Sequence, residues 1–204
     1  MGRLNVRLKR IAIFGGSFDP PHTAHVELAR TALQALALDS VRWIPAGQPW
    51  QKSRAMTPAA HREAMVRLAI EDQARFVLDR TELERSGPSI TLDTVTAFQA
   101  AEPGVDWVLL IGGDQYANLH TWRHWPDLLS RVTLAVAQRP GVTQVPDPAV
   151  LARPHRVVPL PMLDISSTQI RQQVACGLPL DGLVPPAVAR YIEHNRLYQE
   201  GNAH

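Results

Sequence analysis

The chain has 204 residues, enough for one sizeable hydrophobic core and too few to argue for two, so a single domain is expected. A formal net charge of +2 supplies no broad basic surface, which sets nucleic-acid binding aside. The lone cysteine, Cys176, excludes an internal disulfide and suits a reducing cytoplasm; no apolar run has the length of a membrane span or a signal-peptide core, so a cytoplasmic protein without membrane association is expected.

Residues 1–9 carry basic side chains and no acid and read as a solvated arm ahead of a domain that occupies residues 10–204. The first strand is expected at about 10–14; it runs into Gly15 and Gly16, then Ser17-Phe-Asp-Pro20, then a helix at about 22–37. Glycines let a backbone approach a ligand without a Cβ in the way, and a helix start aims free N–H groups at the same place, which together suit a phosphate. His22 and His25, three residues apart at that start, fall on one face and both reach such an anion. Two plainer readings stand beside this one. Gly-Gly and Asp-Pro mark surface turns, and a His pair is half of a metal site, although neither HExxH nor a nearby cysteine completes it. Neither GxGxxG nor GxxxxGK[ST] is present.

Further strands are expected at about 41–44, 76–79, 106–111, 132–137 and 155–158, and helices at about 58–71, 91–101, 167–175 and 185–195. This alternation predicts an α/β fold with a doubly wound parallel sheet. Ligands bind at the carboxyl ends of such strands, so Gly15 and Gly16 should share one crevice with Gly112 and Asp114, which end the long apolar run at 106–111. Residues 45–58 and 139–154 read as long loops beside it. Cys176, close to a helix end, reads as inert packing. Near the C-terminus Ile165-Ser-Ser-Thr-Gln-Ile-Arg171 reads as a Ser/Thr N-cap on an anion-binding first turn, with Arg171 as a fixed positive charge. Alone it is a helix cap; paired with the His-x-x-His unit it becomes the second half of a phosphate site.

These two segments carry a resemblance. Gly15-Gly-Ser-Phe-Asp-Pro-Pro-His-Thr-Ala-His25 resembles the (S/T)FDPxHxGH signature of the nucleotidyltransferase superfamily, and residues 165–171 resemble its ISSTxIR motif. Glu82-Leu-Glu-Arg-Ser-Gly-Pro-Ser-Ile-Thr-Leu-Asp-Thr94 is similar to the ELxRxGPSYTxDTL segment of the bacterial nicotinate-nucleotide adenylyltransferase family. Ile111-Gly-Gly-Asp114 with Leu119-His-Thr-Trp-Arg-His-Trp125 resembles that family's IGxD…W segment, and residues 184–198 resemble its (V/I)PxxVxxYIxxxxLY terminus. The resemblance spans residues 10–198.

The resemblance implies a Rossmann-like fold and transfer of an adenylyl group from ATP to nicotinate mononucleotide, giving nicotinate adenine dinucleotide and pyrophosphate in NAD synthesis. It assigns His22, His25 and Arg171 to catalysis. Gly15, Gly16, Ser17, Phe18, Gly112, Asp114, Ile165, Ser166, Ser167 and Thr168 would bind ATP, with Asp114 either a ribose contact or a helix N-cap. Lys52 would meet the mononucleotide phosphate or be a solvated loop lysine. Trp122 would stack on the pyridine ring, or lie in the core, with Thr91 and Arg123 near it. Magnesium (Mg2+) would arrive with ATP, with no metal held by the protein itself. A homo-oligomer stays open. Ala24 stands where the family has glycine, Gln51 where it has histidine, Ile90 for tyrosine and Gln115 for serine, changes that bear on affinity rather than reaction class. The rival readings are a nicotinamide mononucleotide or pantetheine-phosphate adenylyltransferase and, in another class, a non-catalytic nucleotide-binding module. A synthetase fragment ranks last, because no KMSKS-type partner is present.

Overall fold

A computed structural model describes residues 7–48, 56–138, 145–160 and 163–199 of the chain. Strand β1 (Arg10–Gly16) is followed by α1 (Thr23–Ala35), β2 (Ser40–Pro45), α2 (Ala59–Ile70), β3 (Phe76–Leu78), α3 (Thr81–Glu84) and α4 (Thr91–Ala101). The second half comprises β4 (Asp106–Gly112), α5 (Gly113–Ala117), a 3-10 turn (Leu119–Thr121), α6 (Trp125–Arg131), β5 (Thr133–Gln138), α7 (Pro148–Leu151), β6 (Arg156–Pro159), α8 (Ser167–Ala175) and α9 (Pro186–His194). The strands form one sheet in the order β3-β2-β1-β4-β5-β6, parallel at every pairing.

Successive side chains on a strand point to opposite faces, and here each face meets helices. Ala12 and Phe14 of β1, Val41 and Trp43 of β2, and Val108 and Leu110 of β4 pack with α1, α2, α8 and α9. Ile11 and Ile13, Ile44, Leu109 and Ile111 point the other way, against α4 and α6. That two-sided burial is why β4 is apolar almost throughout.

The order reverses between β1 and β4, and the crevice lies there for a reason visible in the register. These strands pair only from Arg10 with Asp106 to Ile13 with Leu109. Beyond that, β1 continues to Gly16 beside β2 while β4 continues to Gly112 beside β5, so the two carboxyl ends part company.

Three expectations need correction. The first helix begins one residue later than predicted: His22 is its N-cap, in extended backbone at φ −141°, rather than a member of the first turn. The stretch 139–154 is not wholly loop, because α7 forms within it, capped by Asp147, whose Oδ1 accepts from Ala149 N–H at 2.8 Å, with Pro148 at the first helical position. Cys176 caps the end of α8 and is exposed, not packed. Arg7, within the basic arm, pairs with Asp39 at 3.3 Å. Among the described residues no helix is long and apolar enough to cross a membrane.

Candidate active site

The β1–α1 turn is built around an inverted aromatic. Phe18 takes a left-handed backbone (φ 46°) and folds its ring back into the core, 5.5 Å from Phe14 and 5.2 Å from Trp43. A Cβ on Gly16 would lie 3.1 Å from that ring, a tight contact that the ring could meet only by shifting a few tenths of an ångström, so Gly16 serves packing. Gly15 is different: a Cβ there meets nothing within 4 Å and would project into open space. The ligand-approach argument therefore applies to Gly15 and not to Gly16, and Phe18 anchors the turn rather than presenting its ring to a nucleotide.

The turn ends in a cis Asp19–Pro20 bond and delivers His22 to the N-cap of α1. The His22 N–H donates to Nδ1 of His25 at 3.2 Å, and the two rings stack with centroids 3.6 Å apart. Because Nδ1 of His25 accepts, its remaining proton belongs on Nε2. The ring sits 5.2 Å from Phe18 and 5.9 Å from Phe14; burial, and secondarily the neighbouring His22, hold its pKa well below the ordinary histidine value. His25 is thus a neutral donor of fixed tautomer.

The start of α8 is stapled to this turn. Ser166 caps the helix by accepting from Gln169 N–H at 3.2 Å. Ser167 Oγ donates to the Pro20 carbonyl at 2.9 Å, and Arg171 donates through Nη1 to the Asp19 carbonyl at 2.8 Å and through Nη2 to Thr168 Oγ1 at 3.1 Å. Of the three hydroxyls expected to meet an anion, Ser167 thus spends its proton on Pro20, while Ser166 and Thr168 only accept here and keep an O–H to donate. What α8 turns to the crevice is its N-terminal end and the Arg171 guanidinium.

Across the crevice, Gly112 caps α5 and Asp114 stands exposed in its first turn, which removes the N-cap alternative for Asp114. Thr91 opens α4 behind Ile90. Trp122 is half-buried against the α4–α6 core, and its indole N–H is buried without a hydrogen-bond partner. Its backbone N–H donates to the Leu119 carbonyl at 3.0 Å, so it is spent in the 3-10 turn; Arg123 beside it is exposed. Lys52 and Gln51 lie outside the described residues. Every other residue that the sequence nominated borders one cleft of about 620 Å³, as do Ala24, Ile90 and Gln115. Among the described residues no three His, Cys, Asp or Glu side chains are grouped to hold a metal ion.

Sequence reading missed the buried polar residues that support these walls. Glu82 borders the cleft and is buried; Thr94 Oγ1 donates to it at 2.9 Å and Ser89 also bonds to it, yet burial pushes its pKa up. Arg62 is 1% exposed and donates to the Thr57 and Ser17 carbonyls, both at 3.0 Å. A signal for it existed: Arg62, Met65, Val66, Ala69 and Ile70 form the buried stripe of α2, and an arginine on such a stripe must satisfy its donors inside.

Comparison with known proteins supplies an independent line. Residues 13–173 match a family model described as cytidylyltransferase-like. A Methylibium petroleiphilum protein named "Probable nicotinate-nucleotide adenylyltransferase" is 50% identical over 196 residues, covering 93% of this chain and 92% of its own. One of the same name from Bordetella petrii is 44% identical over 199 residues, covering 94% and 100%. Among solved structures, Plasmodium falciparum nicotinic acid mononucleotide adenylyltransferase complexed with NaAD superposes with a TM-score of 0.78 over 93% of this chain and 97% of that one. At 19% identity that likeness speaks for the fold.

Proposed function

The chain belongs to the nicotinate-nucleotide adenylyltransferases within the cytidylyltransferase-like family, and we infer that its switch-point crevice carries adenylyl transfer from ATP to nicotinate mononucleotide, releasing pyrophosphate, as a step in NAD synthesis. One observation supports the placement most: two distant motifs are bolted together beside the crevice by Ser167 on Pro20, 147 residues apart, and Arg171 on Asp19, 152 apart. His22, His25 and Arg171 border the same cleft as the start of α8.

The reaction needs no protein nucleophile. The mononucleotide's phosphate attacks the α-phosphorus of ATP in line, and the protein contributes alignment and charge stabilisation. The triphosphate lies over Gly15, where no Cβ intrudes. His25 donates Nε2–H to phosphate oxygens whose charge rises during transfer, and a neutral donor does so without needing acid pH. Arg171 and the α8 N-terminus receive the departing pyrophosphate. Magnesium enters as part of the MgATP substrate, carried by phosphate oxygens and water. Thr91, Trp122 and Arg123 form the acceptor side, Trp122 offering a ring face and Arg123 a positive charge for the pyridine carboxylate. Lys52, outside the described residues, would partner the mononucleotide phosphate. The lone cysteine suits a cytoplasmic setting.

The test is His25→Ala. With the fold intact by circular dichroism, kcat for pyrophosphate release should fall by about 10²-fold or more, the size expected when a transition-state charge partner is lost. A folded variant with near-normal kcat would place the chemistry elsewhere.

A further inference from the structure

Behind the catalytic turn lies a buried charged cluster that the reaction itself does not touch. Asp19 has no exposed surface. Its Oδ1 accepts from the Tyr198 hydroxyl at 2.8 Å and its Oδ2 from Thr57 N–H at 3.4 Å, while the buried Arg62 holds the carbonyls of Ser17 and Thr57. The main-chain carbonyl of the same Asp19 receives Arg171. One residue thus joins the end of the chain, through its side chain, to the guanidinium in the cleft, through its backbone.

Two features make this more than a structural fastening. Burying a carboxylate and a guanidinium carries a desolvation cost that well-packed apolar residues of the same volume avoid, so such a cluster adds little to stability relative to them. The segment that delivers Tyr198 is also strained: Arg196 (φ 50°) and Tyr198 (φ 64°) both take left-handed backbone that non-glycine residues disfavour. Burial, with the neighbouring Asp19, raises the Tyr198 pKa, so the phenol remains a donor. Both costs are spent on the position of one peptide, and that peptide's carbonyl sets how Arg171 enters the cleft.

We propose that Tyr198, acting through Asp19, is a positioning residue for adenylyl transfer that fixes the angle of Arg171 toward the departing pyrophosphate. This rests on the role given to Arg171 above. Tyr198→Phe keeps the ring and removes the donor. At a temperature where thermal unfolding shows every variant folded, its kcat for pyrophosphate release should fall about tenfold, with KM for nicotinate mononucleotide changed less than twofold because the acceptor side lies across the crevice. A double-mutant cycle separates positioning from general loosening: in an Arg171→Ala background the same change should cost nothing further in kcat. Equal losses in both backgrounds, or an unchanged kcat in the single variant, would overturn the inference. If Arg171→Ala alone is normal, the reading of the site fails first, and that is a separate outcome. Should Tyr198→Phe not fold, Asp19→Asn and Asp19→Ala carry the test: asparagine keeps an acceptor for the phenol, so its kcat should exceed that of Asp19→Ala about tenfold, and equal values would contradict the proposal.

Discussion

His25 carries the most exacting prediction at the scale of single residues. Its Nδ1 accepts from His22 N–H, and burial beside two phenylalanine rings disfavours its charged form. Nitrogen-15 NMR of the histidine rings should therefore show His25 neutral at pH 7, protonated at Nε2, and still neutral at pH 6; a titration at the ordinary value would refute the tautomer argument. The sign for stability follows from linkage. The unfolded chain binds a proton at His25 near the usual value of about 6.5 while the folded chain declines it, so this group weakens folding as pH falls through that region and has no effect on the alkaline side. Arg171 makes a second case. Lysine keeps the charge but cannot hold the Asp19 carbonyl and Thr168 Oγ1 while facing phosphate, so Arg171→Lys should lower kcat/KM for ATP by about tenfold or more; ATP kinetics unchanged even in Arg171→Ala would make the residue purely structural. The helix starts that carry His22, His25 and Arg171 were legible in sequence from their cap and strand patterns. Asp19, Arg62 and Tyr198 were not, because their meaning depends on three distant segments meeting beneath the turn. The cap made by Ser166 was legible, whereas the bond from Ser167 to Pro20 was not, since nothing local shows that Ser167 reaches it.

At the scale of elements, strands and long periodic helices were readable and short helices were not. Helix α4 lies where the pattern of residues 91–101 put it, because three turns repeat an apolar face often enough to register. Helices α3, α5 and α7, of four or five residues, contain too little repetition to give a period. Only α7 left a local sign, the Asp147-Pro148 pair. Two glycines of the β1 and β2 ends test the wall geometry in opposite directions. A Cβ at Gly47 would lie 2.1 Å from the Glu82 carbonyl oxygen, so Gly47→Ala must push α3 away and should destabilise by about 1–3 kcal/mol in urea unfolding. At Gly15 the methyl meets no protein atom, so Gly15→Ala should leave stability within about 0.5 kcal/mol while raising KM for ATP about tenfold or more. A destabilised Gly15→Ala with normal KM would mean that the nucleotide does not lie over β1.

At the scale of the whole molecule, sheet order explains why one cleft collects residues from so many parts of the chain. The carboxyl ends of β1 and β4 diverge after Ile13 and Leu109, and the loops that follow both strands open into the gap. A parallel alternating fold predicts such a gap, which is why the crevice shared by Gly15 and Gly112 could be expected from sequence. What sequence did not show is the proposed acceptor wall in detail: the backbone N–H of Trp122 closes a 3-10 turn on Leu119, and Trp122 and Arg123 both border the cleft. The acceptor is therefore the point at which the whole account is most exposed. The measurement is kcat/KM with saturating MgATP for nicotinate mononucleotide, nicotinamide mononucleotide and pantetheine phosphate, following pyrophosphate and the dinucleotide together. With a charge-assisted contact or two to the carboxylate, at about 1.5–3 kcal/mol each, the acid should exceed its amide by about 10- to 10⁴-fold, with equimolar nicotinate adenine dinucleotide and pyrophosphate. Parity between acid and amide, or a preference for the amide or for pantetheine phosphate, would contradict it.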